Sequence, residues 1–146
     1  MRDMTMKKNL YPILLAALLT AVSTPADAKC PKAQLTVEQK AETGAYLADE
    51  NGMTLYWFTK DSPGRSSCTG PCEEKWPVYY RDVFRIPKSM NGSDFASILR
   101  NDGKKQLTFR GYPLYYRAGD KKAGDTGGQG VNNVWFVVNP DNFPPK

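Results

Sequence analysis

The chain has 146 residues, 20 Lys and Arg against 15 Asp and Glu, a formal net charge of +5, and not one histidine. Without imidazole it can build no Ser-His-Asp or Cys-His nucleophile, no His-ligated zinc or blue-copper site and no Cys-x-x-Cys-His haem attachment. The mild basic excess is interleaved with acids along the chain, so it forms no phosphate-tracking stripe and predicts no nucleic-acid partner.

At the N-terminus, Arg2, Lys7 and Lys8 precede residues 10–22, which are apolar apart from Tyr11, Pro12 and Thr20, and Ala26-Asp27-Ala28 follows. A charged start, an apolar stretch too short to span a bilayer and small residues at the cleavage positions predict a signal peptide over residues 1–28, cut after Ala28. The product is expected to be periplasmic or extracellular, with no transmembrane segment. Lys29 stands directly before Cys30, which favours a soluble product over a lipid-anchored one. Residues 29–44 are read as an N-terminal segment, and 45–146 as a single β domain.

That domain is a duplication. Laying residues 51–61 over 110–120 matches Gly52 to Gly111, Leu55 to Leu114, Tyr56 to Tyr115 and Asp61 to Asp120 at a constant offset of 59, and the same offset carries Trp76 onto Trp135 and Val78 onto Val137. The copies are placed at 45–80 and 104–139. In the first, residues 45–48 lead into the hairpin signal Glu50-Asn51-Gly52 and an aromatic strand over 54–58. Residues 61–75 read as a loop without regular structure, and Cys68-Thr69-Gly70-Pro71-Cys72 within it predicts a disulfide across a Gly-Pro turn. Cys30 is then a free thiol, an intermolecular bridge or the true partner of Cys68 or Cys72.

Between the copies, Ser93 can cap a short helix that carries Phe95, Ile98 and Leu99 on one face and ends near Gly103. In the second copy, residues 106–109 turn at Arg110-Gly111 and return over 114–116. A polar loop over 120–133 and a strand over 135–138 complete it. The fold class is therefore all-β, two hairpin-plus-strand repeats packed by a pseudo-twofold as a small sandwich or barrel, with Trp76 and Trp135 in the core.

The runs Tyr56-x4-Asp61 and Tyr115-x4-Asp120, with Cys68-x3-Cys72-x3-Trp76-Pro77 after the first and Gly124-Asp125 and Trp135 after the second, resemble the bacterial secreted-repeat family, also described as predicted lipoproteins with a Tyr-x4-Asp motif. The resemblance covers about residues 45–140 and implies no established activity.

The motif residues admit two chemistries. In one, a tyrosine hydroxyl binds a carboxylate that also caps the following loop through backbone N–H groups. In the other, Asp61 and Asp120 lie within about 6 Å of each other as a shared-proton acid/base pair or a cation site. The loop over 119–130 offers Asp120 and Asp125 as weak calcium candidates, against which Lys121 and Lys122 stand. Asp125-Thr126-Gly127 is no aspartic-protease motif, because its repeat equivalent is Ser66 and only Ala123 and Gly124 precede it. Strand alternation turns one of Tyr56 and Trp57, and one of Tyr115 and Tyr116, outward, where a sugar ring or an envelope protein could dock. The expected function is a secreted cell-envelope binding or scaffold module without a cofactor. The alternatives are an enzyme or cation site on Asp61 and Asp120, and an envelope redox accessory protein.

Overall fold

The structure, a computed structural model, describes residues 34–145. The signal segment, its cleavage point and Cys30 lie outside the described residues. Seven strands follow one another: β1 (Leu35–Lys40), β2 (Gly44–Asp49), β3 (Tyr56–Phe58), β4 (Phe95–Leu99), β5 (Lys105–Phe109), β6 (Tyr112–Pro113) and β7 (Trp135–Val137), with a short helix α1 (Pro71–Lys75) between β3 and β4. They form three small antiparallel sheets, β1-β2, β3-β7 and β4-β5-β6. The all-β, two-repeat architecture is as expected, and it closes into no barrel.

The repeats exchange strands. β3, from the first copy, pairs with β7, from the second, with Tyr56 opposite Val137 and Phe58 opposite Trp135. Leu47 N–H donates to Val138, Val138 N–H to Leu55 and Leu55 N–H to Leu47, a ring of three bonds at 2.9, 3.1 and 2.9 Å. Its counterpart runs from Leu107 to Tyr79, from Tyr79 to Leu114 and from Leu114 to Leu107 at 2.8, 2.9 and 2.9 Å. Val138 is the repeat equivalent of Tyr79, so each hairpin receives its third strand from the other copy. On the pseudo-twofold itself, Tyr56 and Tyr115 exchange both backbone bonds, at 2.8 and 2.9 Å.

Strand alternation feeds two cores from the same segments. Leu47, Leu55, Trp57, Leu114 and Val138 enter one core, whereas Tyr46, Ala48, Tyr56, Tyr115 and Val137 enter the other. Each large apolar side chain buried in this way contributes roughly 1.5–3 kcal/mol. Because both faces are covered, the outward aromatics expected from alternation do not occur. Trp57 is buried against Phe143 and Tyr112, with ring centroids 5.2 and 5.6 Å away. Tyr116 is half-buried over Tyr79, and no described Phe, Tyr or Trp is exposed.

Three further segments differ from expectation. The helix predicted between the copies is strand β4. Asn91, not Ser93, caps the turn there, its side chain accepting from Ser93 N–H, and only the 3-10 turn Gly92–Asp94 is helical. A five-residue run with three large apolar side chains satisfies either period locally, and pairing with β5 decides it: Phe95 lies opposite Phe109 and Leu99 opposite Lys105. The loop over 61–75 contains α1, which Pro71 starts, with Glu73 and Glu74 in the first turn and Lys75 in the last, as the helix dipole favours. Residues 29–44 include β1, whose pairing with β2 extends the first hairpin.

Two expected local features are present. Gly52 N–H bonds the Asp49 carbonyl at 3.0 Å in the predicted turn, and Cys68 is bonded to Cys72, their Cα atoms 5.3 Å apart. No helix among the described residues is long and apolar enough to cross a membrane.

Candidate functional site

The motif residues meet, but across copies. The chain turns after β3, where Asp61 N–H bonds the Phe58 carbonyl at 3.0 Å, and this carries Asp61 away from the tyrosine of its own motif. Tyr56 hydroxyl donates to Asp120 Oδ2 at 2.5 Å and Tyr115 hydroxyl to Asp61 Oδ2 at 2.7 Å. Each tyrosine of one repeat thus holds the carboxylate of the other. The second oxygen of each carboxylate stays with its own loop: Asp61 Oδ1 accepts from Ser67 N–H at 2.6 Å, and Asp120 Oδ1 from Arg117 at 3.1 Å. The tyrosines have second partners, Ser66 Oγ on Tyr115 and Gly128 N–H on Tyr56.

Between the two pairs lie the repeat-equivalent tryptophans. Trp76 and Trp135 stack face to face, with centroids 3.9 Å apart and planes 5° off parallel. Tyr56 stands edge-on to Trp76 at 5.5 Å and Tyr115 edge-on to Trp135 at 5.1 Å. Gly128 admits nothing larger, since a Cβ there would lie 2.5 Å from the Tyr56 ring.

Burial dominates the electrostatics. Tyr56 and Tyr115 are fully buried and their hydroxyls are held far above the ordinary phenol range, by desolvation first and by the facing carboxylates second. Asp61, 7% exposed, is pushed up by desolvation, an effect that the Ser67 N–H, the Tyr115 hydroxyl and Arg100 partly offset.

The surrounding loops are exchanged in the same way. Gly52 and Gly111, the repeat-equivalent turn glycines at φ +79° and +88°, accept backbone bonds from Gly124 and Gly64, each in the loop of the other copy. A Cβ on Gly52 would meet Ala123 Cβ at 2.8 Å, and one on Gly111 would meet Pro63 Cβ at 3.1 Å. Two cations from hairpin ends then clamp those loops. Lys40 Nζ reaches Gly124 O and Thr126 Oγ1 at 3.1 and 3.0 Å, and Arg100 reaches Ser66 Oγ and Cys68 O, both at 2.7 Å.

Lys40 and Arg100 are the residues of this site that sequence reasoning missed. They are 60 apart rather than 59, because the first hairpin turn is one residue longer than the second. Allowing that insertion aligns Leu47 with Leu107 and Lys40 with Arg100, a signal present in the sequence.

An ammonium therefore sits on the oxygens of the loop considered for calcium. Asp125 lies at its exposed side, accepting from Lys121 and Lys122 N–H at 2.8 and 3.1 Å, which hold its carboxyl below the usual range. Among the described residues no group of three or more Cys, Asp and Glu side chains is placed to hold a metal ion.

A family profile described as a secreted repeat of unknown function matches the chain twice, over residues 38–79 and 96–139. No curated protein and no solved structure matches.

Proposed function

The chain belongs to the family of secreted repeats of unknown function, and from that premise we propose that it is a non-catalytic scaffold module of the cell envelope, exported by removal of residues 1–28 into the periplasm or beyond. The observation that carries this reading is the crossed pairing of Tyr56 with Asp120 and of Tyr115 with Asp61. The residues the repeats share are committed to each other, buried and saturated with hydrogen bonds, so the Tyr-x4-Asp motif acts as a reciprocal clasp rather than as an acid/base pair open to a substrate. Saturated buried polar networks rigidify a fold and define one packing. The disulfide and the two clamping cations add to the same end. Glycan capture finds little support, because no described aromatic ring is exposed for a sugar to stack on.

The test is the thermal midpoint of residues 29–146 with calcium, with chelator and with a panel of envelope glycans. A ligand selective for the native state stabilises it by about 2.7 kcal/mol at a hundred times its Kd. The scaffold reading predicts no shift with any of these. A reproducible rise with calcium would replace it by a cation site, and a rise with one glycan by a binding module.

A further inference from the structure

The buried cluster has a chemistry beyond holding the repeats together. We propose that Trp76, Trp135 and the two crossed tyrosine–carboxylate pairs form a proton-coupled acceptor for one oxidising equivalent, delivered by a small diffusible one-electron oxidant at the cleft beside Trp76.

The geometry supplies each part. Two indoles stacked at 3.9 Å share an electron hole, and each has a phenol edge-on within 5.5 Å. A phenol gives up an electron readily only when its proton can leave at the same time, and both phenols already donate to a carboxylate, at 2.5 and 2.7 Å. Burial sets the direction, because a positive charge on the stacked indoles is costly in this core. A hole on the indoles and a carboxylate negative charge are both removed when the tyrosine electron fills the hole and its proton crosses to the carboxylate.

The step balances. The oxidant takes one electron from Trp76 and is reduced. The indole radical cation then takes one electron from Tyr56 or Tyr115, the O–H bond of that tyrosine breaks, and a new O–H bond forms on Asp120 or Asp61. The products are a restored indole, a neutral tyrosyl radical and a neutral carboxyl group.

The copies differ at the two ends of the indole stack, and that difference identifies the entrance. Phe58 covers the outer face of Trp135, with centroids 4.3 Å apart and planes 11° off parallel. Its repeat equivalent beside Trp76 is Arg117, whose guanidinium turns to Asp120. Trp76, Arg117, Lys75 and Val131 instead border an open cleft of about 300 Å³. Oxidant access is thus at the Trp76 end of the stack, while Phe58, which resists oxidation, closes the other.

Pulse radiolysis with azidyl radical tests this on the folded mature chain. An indole radical is expected first, and its decay, at a rate independent of protein concentration, matches the growth of a tyrosyl radical and is slower in D2O. Asn accepts the tyrosine hydrogen bond but is no base, so the double variant Asp61→Asn with Asp120→Asn slows that growth roughly a hundredfold, the scale of a lost general base. Tyr56→Phe with Tyr115→Phe abolishes it, and Trp57→Phe, which removes the indole of the other core, leaves it unchanged. An indole radical that decays without tyrosyl growth, or growth indifferent to D2O, overturns the proposal on the wild-type protein alone, whether or not the variants fold. Growth unchanged in folded Asn or Phe variants overturns it equally.

Discussion

Replacing Arg100 by alanine is expected to cost about 3–5 kcal/mol of folding free energy, the range for breaking a buried ion pair from one side. Its side chain is 2% exposed and every donor has an acceptor. Nε binds Asp102; Nη1 binds Ser66 Oγ and Gln106 Oε1, each at 2.7 Å; Nη2 binds the Cys68 carbonyl at 2.7 Å and Glu73 Oε2 at 3.2 Å. Removing the guanidinium leaves a fully buried Gln106 oxygen without its donor, the Cys68 carbonyl with only the Ser66 hydroxyl at 3.4 Å, and Glu73 with Lys104 alone of its two cations. These acceptors belong to the disulfide loop, to α1 and to β5, so one substitution loosens the contact between the loop of the first repeat and the hairpin of the second. Arg100→Lys is expected to recover little, since a single ammonium cannot present a planar fork to acceptors on several sides. Urea denaturation measures both variants: the midpoint should fall sharply at constant m. A loss under about 1 kcal/mol would place Arg100 among ordinary surface ion pairs.

The second large effect is alkaline unfolding. Tyr56, Tyr79, Tyr115 and Tyr116 all have hydroxyls raised well above the ordinary phenol value, by desolvation foremost, with the Asp120 and Asp49 hydrogen bonds next for Tyr56 and Tyr116 and the Asp61 charge next for Tyr115. The folded state keeps these protons where the unfolded chain releases them, so the native state binds more protons and stability falls as pH rises. The contribution is fully present below about pH 10 and is lost above it at roughly 1.4 kcal/mol per tyrosine and pH unit. The four together predict cooperative unfolding not far above pH 10, with tyrosinate absorbance and loss of β-sheet circular dichroism appearing in one transition. Complete tyrosine ionisation with the fold intact would contradict the assigned burial. Asp61 has the same sign: its raised carboxyl favours the neutral form in the fold, so acidification through its range adds stability and alkalinisation removes it.

What could be read from the chain, and what could not, follows from the range of each interaction. Gly52 with Gly111, Leu55 with Leu114, Tyr56 with Tyr115 and Trp76 with Trp135 announce the duplication because identity at a fixed offset needs no knowledge of contacts. The turn at Gly52 and the Cys68–Cys72 bridge are local and were legible for that reason. β4 was not, because a short apolar segment fits two periods until a partner strand selects one. Nor could the sequence reveal that the copies exchange strands. Tyr56 has a local aspartate at Asp61 and an equivalent one at Asp120, and only the crossing of β3 with β7 decides between them. One of Tyr56 and Trp57, and one of Tyr115 and Tyr116, is expected outward because alternation specifies two faces; it does not say that both are covered. Arg100 gave no local signal, since Ser66, Cys68 and Glu73, the acceptors that tie it to the first repeat, lie 34, 32 and 27 residues back in the chain.

The exchange of repeats stands on the crossed clasp, and a pair of double-mutant cycles decides it. Tyr56→Phe would be combined with Asp120→Asn in one cycle and with Asp61→Asn in the other, each unfolded in urea. Residues sharing a hydrogen bond couple by roughly 0.5–3 kcal/mol, whereas independent sites add within about 0.5 kcal/mol. The crossed arrangement predicts clear coupling of Tyr56 to Asp120 and additivity with Asp61, with which it shares no hydrogen-bond partner. Coupling of Tyr56 to Asp61, with additivity for Asp120, would mean that each motif closes on itself and would contradict the exchange of repeats.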